Sequence, residues 1–171
     1  PMQAGHLEKL LHAQGLKTAR SGSGEEALAL LARQEFDLVL VDYMLEGALT
    51  GLNVIRRIRG LPGRTGKIPI LAISGFDDVA RRIEMLRSGA NDFVLKPVVP
   101  EEFQVRVGNL VQLRQALDYL EEQHAALYKM AMRDRLTSAY NRHYLSERAQ
   151  ALIQEAKTSR RPLSLITLDI D

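Results

Sequence analysis

Three residue types that can do chemistry together recur at one kind of place in this sequence, directly after a short apolar run. Asp42 closes FDLVLVD, Ser74 closes KIPILAIS, and Lys96 closes NDFVLK. A carboxylate with a hydroxyl and an ammonium on neighbouring strand ends suits reversible phosphoryl transfer. The carboxylate is the nucleophile. The ammonium and a divalent cation neutralise the transferring group's oxygens, and the hydroxyl hydrogen-bonds one of them. Each residue alone has a plainer reading, since an Asp after a strand is often a turn residue and Ser-Gly ends many strands. The weight lies in all three occurring in order. A second pair of carboxylates, Asp169 and Asp171, ends the terminal run LITLDID, a placement that serves a cation or a phosphate.

The elements that must position these residues alternate. Residues 2–14 carry Leu7, Leu10 and Leu11 on one helical face with Gly15 as a stop. LKTAR predicts a short strand, and SGSGEEALALLARQ a helix opened by a Ser23/Glu26 capping box. FDLVLVDYM has the continuous apolar pattern of a parallel strand buried on both faces. EGALTG leads into a helix through Leu52, Ile55 and Ile58, KIPILAISG is a second buried strand, and FDDVARRIEMLRSGA is a helix with Val79, Ile83 and Leu86 in line. NDFVLKP is a further strand. This alternation predicts an α/β fold, a doubly wound parallel sheet. Ligands of such sheets sit at the carboxyl ends of the strands, where Asp42, Ser74 and Lys96 fall.

From Pro100 the pattern changes. Leu110, Leu113, Leu117, Leu120, His124, Leu127 and Ala131 step by three and four. This 3.5-residue repeat predicts a coiled-coil seam, the plainer alternative being a long helix packed on its own domain. His124 on that seam is either a register-setting polar residue or a partly exposed helix residue. RLTSAYNRHYL follows, then an amphipathic helix with Leu145, Ala149, Leu152, Ile153 and Ala156, and the closing strand. His6, His12 and His143 have no metal-like spacing.

Bulk composition excludes several classes. The 171 residues are 46% hydrophobic and 26% charged, with a net charge of +2, ordinary for a globular protein and no basic footprint for nucleic acid. The absence of cysteine excludes disulfides and thiolate metal sites and fits a reducing, cytoplasmic setting. No apolar run reaches the roughly 20 residues of a membrane span.

Residues 1 to about 116 resemble a response-regulator receiver domain, a flavodoxin-like fold. The matching residues are Asp42 in DLVLVD, Ser74-Gly75 in ILAISG and Lys96-Pro97 in DFVLKP. The resemblance implies that Asp42 is the phosphoacceptor and a ligand of Mg2+, Ser74 the switch hydroxyl, and Lys96 the phosphate-pairing lysine. It further implies a cis peptide before Pro97, a rotameric aromatic at Phe93, a metal-binding backbone carbonyl at Met44, and a sensor histidine kinase as partner. Two departures stand out. Glu46 takes the place of the family's usual Pro in a loop one residue longer, and the family's first strand with its acidic pair is not in the sequence. The natural chain is therefore expected to extend upstream, or that strand to be disordered, excised or replaced by another chain.

DRLTSAYNRHYL and LITLDID together resemble the start of a GGDEF domain, the catalytic domain of diguanylate cyclases, with Ser138-Ala139 where Gly-Leu is usual. The resemblance implies Mg2+ at Asp169 and at the Ile170 carbonyl, GTP as substrate and cyclic di-GMP as product. Asp171 is either a further ligand or a helix cap. The signature itself lies outside the sequence, so this chain alone is expected to be inactive. The expected organisation is a receiver over 1–99, a helix and coiled-coil linker over 100–133, and the first part of a GGDEF domain over 134–171. Phosphorylation would then control cyclase output by pairing helix 100–133 in a homodimer. A second class remains open, a non-catalytic dimerisation or docking regulator with a degenerate GGDEF domain.

Overall fold

A computed structural model describes residues 2–45, 47–75 and 79–168, with the backbone alone for 2–4. It divides into two compact units, Pro1–Asp118 and Tyr119–Asp171. Among the described residues the element order is α1 (Met2–Ala13), α2 (Gly24–Arg33), β1 (Val39–Asp42), α3 (Gly51–Arg59), α4 (Gly63–Gly66), β2 (Ile70–Ser74), α5 (Val79–Arg87), β3 (Asp92–Leu95), α6 (Pro100–Met132) and α7 (Arg142–Ser159).

The sheet of the first unit is parallel, in the order β1-β2-β3. Alternate side chains of its strands enter two separate cores, as a pleated strand requires. Val39, Val41, Ile70, Ala72 and Phe93 join Leu31, Ile55, Ile58 and Met85 from α2, α3 and α5. Leu38, Leu40, Leu71 and Val94 join Leu11 of α1 and Phe103, Val107 and Leu110 of α6. Helices thus cover both faces, as the doubly wound pattern predicts.

The helices begin where their caps are. Ser23 Oγ accepts the Glu26 N–H at 3.2 Å, while the Glu26 carboxylate reaches back to the Gly22 N–H at 2.6 Å. The box closes one residue earlier than its simplest form. Thr50 Oγ1 caps α3 through the Asn53 N–H at 3.3 Å. Arg59, at the end of α3, donates to the carbonyls of Gly66 (3.0 Å), Ile68 (2.7 Å) and Gly89 (2.9 Å) and to Asn91 Oδ1 (2.8 Å). It fastens the segments that enter β2 and β3.

Four expectations are corrected. LKTAR is not a strand, because no described residue pairs with it and an extended segment without a ladder partner is not a strand. FDLVLVDYM contracts to β1, which is only half-buried apart from Val41, since β1 is an edge of the described sheet. On α5 the stripe of Val79, Ile83 and Leu86 faces outward, and Met85 is the buried side chain. The closing segment 161–168 is not a strand, and Leu165, Ile166 and Leu168 are exposed. The predicted seam also divides. Leu110 is buried in its own unit's core, while Leu113, Leu120 and Leu127 are exposed.

The second unit turns between α6 and α7. Asp134 Oδ1 accepts the N–H groups of Leu136 (3.1 Å) and Thr137 (2.9 Å) and the Thr137 hydroxyl (2.9 Å). The Thr137 backbone, then its hydroxyl and the Leu136 N–H, hold this carboxyl below the usual range. Asn141 caps α7 through the Tyr144 N–H at 3.0 Å and donates to the Ala131 carbonyl at 2.7 Å. Tyr140 and Tyr144 stack with ring centroids 3.7 Å apart.

Candidate functional site

The strand register brings the three predicted residues together. Asp42 pairs with Ile73, and Ser74 pairs with Leu95. Ser74 therefore lies one residue beyond the level of Asp42, and Lys96 one beyond the level of Ser74. The backbone continues the ladder past the strand ends, with the Tyr43 N–H on the Ile73 carbonyl (2.7 Å) and the Lys96 N–H on the Ser74 carbonyl (2.8 Å). All three side chains consequently rise from one carboxyl edge.

Lys96 Nζ donates to Asp42 Oδ2 in an ion pair. The other oxygen, Oδ1, accepts the Met44 N–H at 3.1 Å. Both side chains of the pair are partly open to solvent, whereas Ser74 is fully buried. Chemically, an accessible carboxylate held from both sides can serve as a nucleophile, with the ammonium beside it able to neutralise negative charge that develops there. The Lys96-Pro97 peptide is cis, as the resemblance implies.

One contributor has no warning in residue chemistry. Gly51, the first residue of α3, lies so close to the strand that a Cβ there would collide with the Asp42 carbonyl oxygen. Its signal is only positional, a glycine directly after the Thr50 cap. Phe93 lies half-buried on β3, with the Arg82 guanidinium 5.7 Å and the Arg106 guanidinium 5.9 Å from its ring centre. Arg106 is itself forked onto Asp92 at 2.8 and 2.7 Å and bonded to Glu102 at 2.8 Å. These contacts, with Asp92 first, raise its guanidinium pKa further.

A magnesium ion takes six oxygens, commonly one or two from carboxylates and the rest from water and phosphate. Asp42 provides one hard carboxylate donor with the Met44 backbone beside it, so the chemistry fits part of such a set. Among the described residues no three His, Cys, Asp or Glu side chains converge on a cation position. Asp169 and Ile170, predicted for a second metal, lie outside the described residues, as do Asp171 and Glu46. No helix among the described residues is long and apolar enough to cross a membrane.

Comparison with known proteins places the fold that carries this edge. The model of the response regulator receiver domain matches residues 1–108. The response regulator PleD of Caulobacter vibrioides is 30% identical over 149 residues, 87% of this chain and 32% of that protein. The cyclic di-GMP phosphodiesterase response regulator RpfG of Xanthomonas campestris is 36% identical over 112 residues, 66% of this chain and 29% of its own length. The chain thus spans about a third of the length of these relatives. Among solved structures, the beryllofluoride-activated receiver domain of Klebsiella pneumoniae RstA superposes with a TM-score of 0.58 at 28% identity, covering 65% of this chain and 91% of that one. A Francisella receiver domain gives 0.59 at 26% identity, over 65% and 88%. An ion-paired aspartate and a buried serine on adjacent strand ends, in a parallel α/β unit matched over most of its length, make this chain a member of the response regulator receiver domain family.

Proposed function

We propose that Asp42 is the phosphoacceptor of a receiver that controls a cyclic di-GMP-forming output. The observation that carries this reading is the Asp42–Lys96 ion pair beside the buried Ser74. Receiver domains take their phosphoryl group from histidine kinases. An Asp42 oxygen attacks phosphorus, the phosphorus–nitrogen bond of the donor breaks, and the departing imidazole nitrogen takes a proton. Lys96 moves from the carboxylate to the phosphoryl oxygens, and Ser74 turns its hydroxyl toward them. Asp42 and the Met44 carbonyl would hold Mg2+, which neutralises charge on the same oxygens. The turn of Ser74 repacks the face around Phe93, between Arg82 and Arg106.

Support for the output lies beyond the receiver. The similarity to PleD over 149 residues has to run past residue 108. The DRLT turn built on Asp134 and the Asn141 cap give local order to the stretch that resembles the start of a GGDEF domain. RpfG, similar over 112 residues, is named a cyclic di-GMP phosphodiesterase response regulator, which supports an output concerned with this nucleotide but not its direction. In this reading two copies pair through helix 100–133, and Mg2+ at Asp169 and the Ile170 carbonyl holds GTP in the complete output domain.

The test uses the full-length protein with acetyl phosphate, Mg2+ and GTP. The wild type gains one phosphoryl group by intact mass and makes more cyclic di-GMP, and Asp42→Asn does neither. Equal phosphorylation of Asp42→Asn moves the acceptor elsewhere. An Asp42→Asn protein whose output still responds to acetyl phosphate refutes the control mechanism.

A further inference from the structure

At the amino-terminal edge of the sheet, opposite Asp42, a second charged cluster has no part in the phosphoryl chemistry. Arg64 sits on the four-residue helix α4 in the turn PGRTGK. That turn is tight enough that a Cβ on Gly66 would collide with the Leu61 carbonyl oxygen. From it Arg64 reaches three places. It donates to Asp118 Oδ2 at 2.9 Å and Oδ1 at 3.3 Å, to Asp37 at 2.8 Å, and to the Phe36 carbonyl at 3.1 Å. Glu35 lies 3.5 Å away. Arg114, one turn before Asp118 on α6, is almost wholly buried and also donates to both Asp118 oxygens. One carboxylate therefore carries two guanidiniums. Their effect is mutual, since Arg64, ahead of Arg114, lowers the Asp118 pKa and Asp118, ahead of Asp37, raises that of Arg64.

The position of this cluster gives it a meaning. Asp118 is the last residue of the first compact unit, while α6 runs on without a break to Met132. Among the described residues, the apolar core of the first unit takes α6 side chains as far as Leu110 and Val111. Beyond them, Arg114 and Asp118 supply the polar attachment of the helix to its own unit. On the sheet side the cluster touches the segment that enters β1, at Phe36 and Asp37, and the turn that leads into β2. Those strands end in Asp42 and Ser74.

We infer that Arg64 is a latch on Asp118 that fixes where the outgoing helix leaves the receiver, and that the strands carrying Asp42 and Ser74 act on the helix through it. This inference rests on the proposed role of Asp42 only for its second half. A partly exposed ion pair such as Arg64–Asp118 contributes little to global stability, whereas removing Asp118 leaves the buried Arg114 guanidinium without its carboxylate, a larger local effect. A helix attached by a few polar groups is a two-state element that either holds or frays.

Arg64→Gln is the cleaner variant because it leaves the Arg114–Asp118 pair intact. Asp118→Asn is the stronger one. Hydrogen exchange of the 171-residue chain, with no phosphodonor, reads the latch directly. In Arg64→Gln, exchange across residues 115–125 and 35–37 rises by roughly tenfold, as for local opening, while the amides of β2 keep their protection. Exchange at 115–125 in Arg64→Gln that matches the wild type overturns the latch, whatever Asp118→Asn does. In the full-length protein with acetyl phosphate, Arg64→Gln is phosphorylated at Asp42 as the wild type is, but output no longer follows phosphorylation. Output that follows it as in the wild type overturns the coupling. If wild-type Asp42 takes no phosphoryl group, it is the proposed function that fails, and the exchange result still decides the latch.

Discussion

Two apolar runs of nearly the same composition have opposite fates in this molecule. In ILAIS, residues 70–74, every side chain is buried, from 0% exposed at Ile70 and Leu71 to 4% at Ile73. In LITL, residues 165–168, Leu165, Ile166 and Leu168 are 84%, 81% and 87% exposed, and no ladder forms. The difference lies in what each run has beside it. β2 is hydrogen-bonded to β1 on one side and β3 on the other, with a helical layer on each face. LITL has no pairing strand among the described residues. Branched apolar residues prefer a pleated surface, but they form one only where neighbours satisfy the backbone.

The sharpest way to break this comparison is to shorten one side chain in each run. Leu71→Ala, in the core with Phe103 and Val107, is expected to lower the unfolding free energy by about 2–5 kcal/mol. Leu165→Ala is expected to change it by less than about 0.5 kcal/mol. Urea denaturation measures both, and similar losses would mean that LITL is as well packed as β2.

A smaller effect tests whether charge does at the strand entries what apolar contact does at the strand centres. The Asp118 carboxyl is depressed in the folded chain by Arg64 and then Arg114. Its stabilisation is therefore complete above the unfolded carboxyl value of about 3.9 and is lost as pH falls from there through the lower folded value. The difference in urea midpoint between wild type and Asp118→Asn should narrow over that window. A difference that persists unchanged on acidification would show that the ionised carboxylate is not its source.

The smallest change concerns the second unit alone. Asn141→Ala removes the α7 cap and should cost that helix about 1 kcal/mol. Circular dichroism on heating should show α7 fraying first, with the sheet of the first unit unaffected. Loss of both together would mean that the two units unfold as one.

Much of the receiver was legible because its signals are local. Asp42, Ser74 and Lys96 stand out since each ends a run that burial makes apolar, and a parallel ladder then aligns the ends. The α3 stripe of Leu52, Ile55 and Ile58 was equally legible, since helical spacing alone decides its face. On α5 the same spacing misled. Val79, Ile83 and Leu86 form a better stripe by composition, yet the helix rests on Met85, because a helix over a sheet buries what the sheet can reach. LKTAR and LITL were misread as strands for a related reason, since strand pairing is a property of the neighbour as much as of the run. The Arg64–Asp118 contact spans 54 positions and leaves no periodic trace.

Arg59 has a mechanical consequence for all this. Its guanidinium holds the Gly66 and Ile68 carbonyls ahead of β2 and the Gly89 carbonyl and Asn91 ahead of β3, so both strands are tied to α3 at the end away from the carboxylate. The entry to β2 is thereby braced, so strain arriving from the Ser74 end is handed on to the adjoining α4 turn, which carries Arg64, instead of being lost as slack.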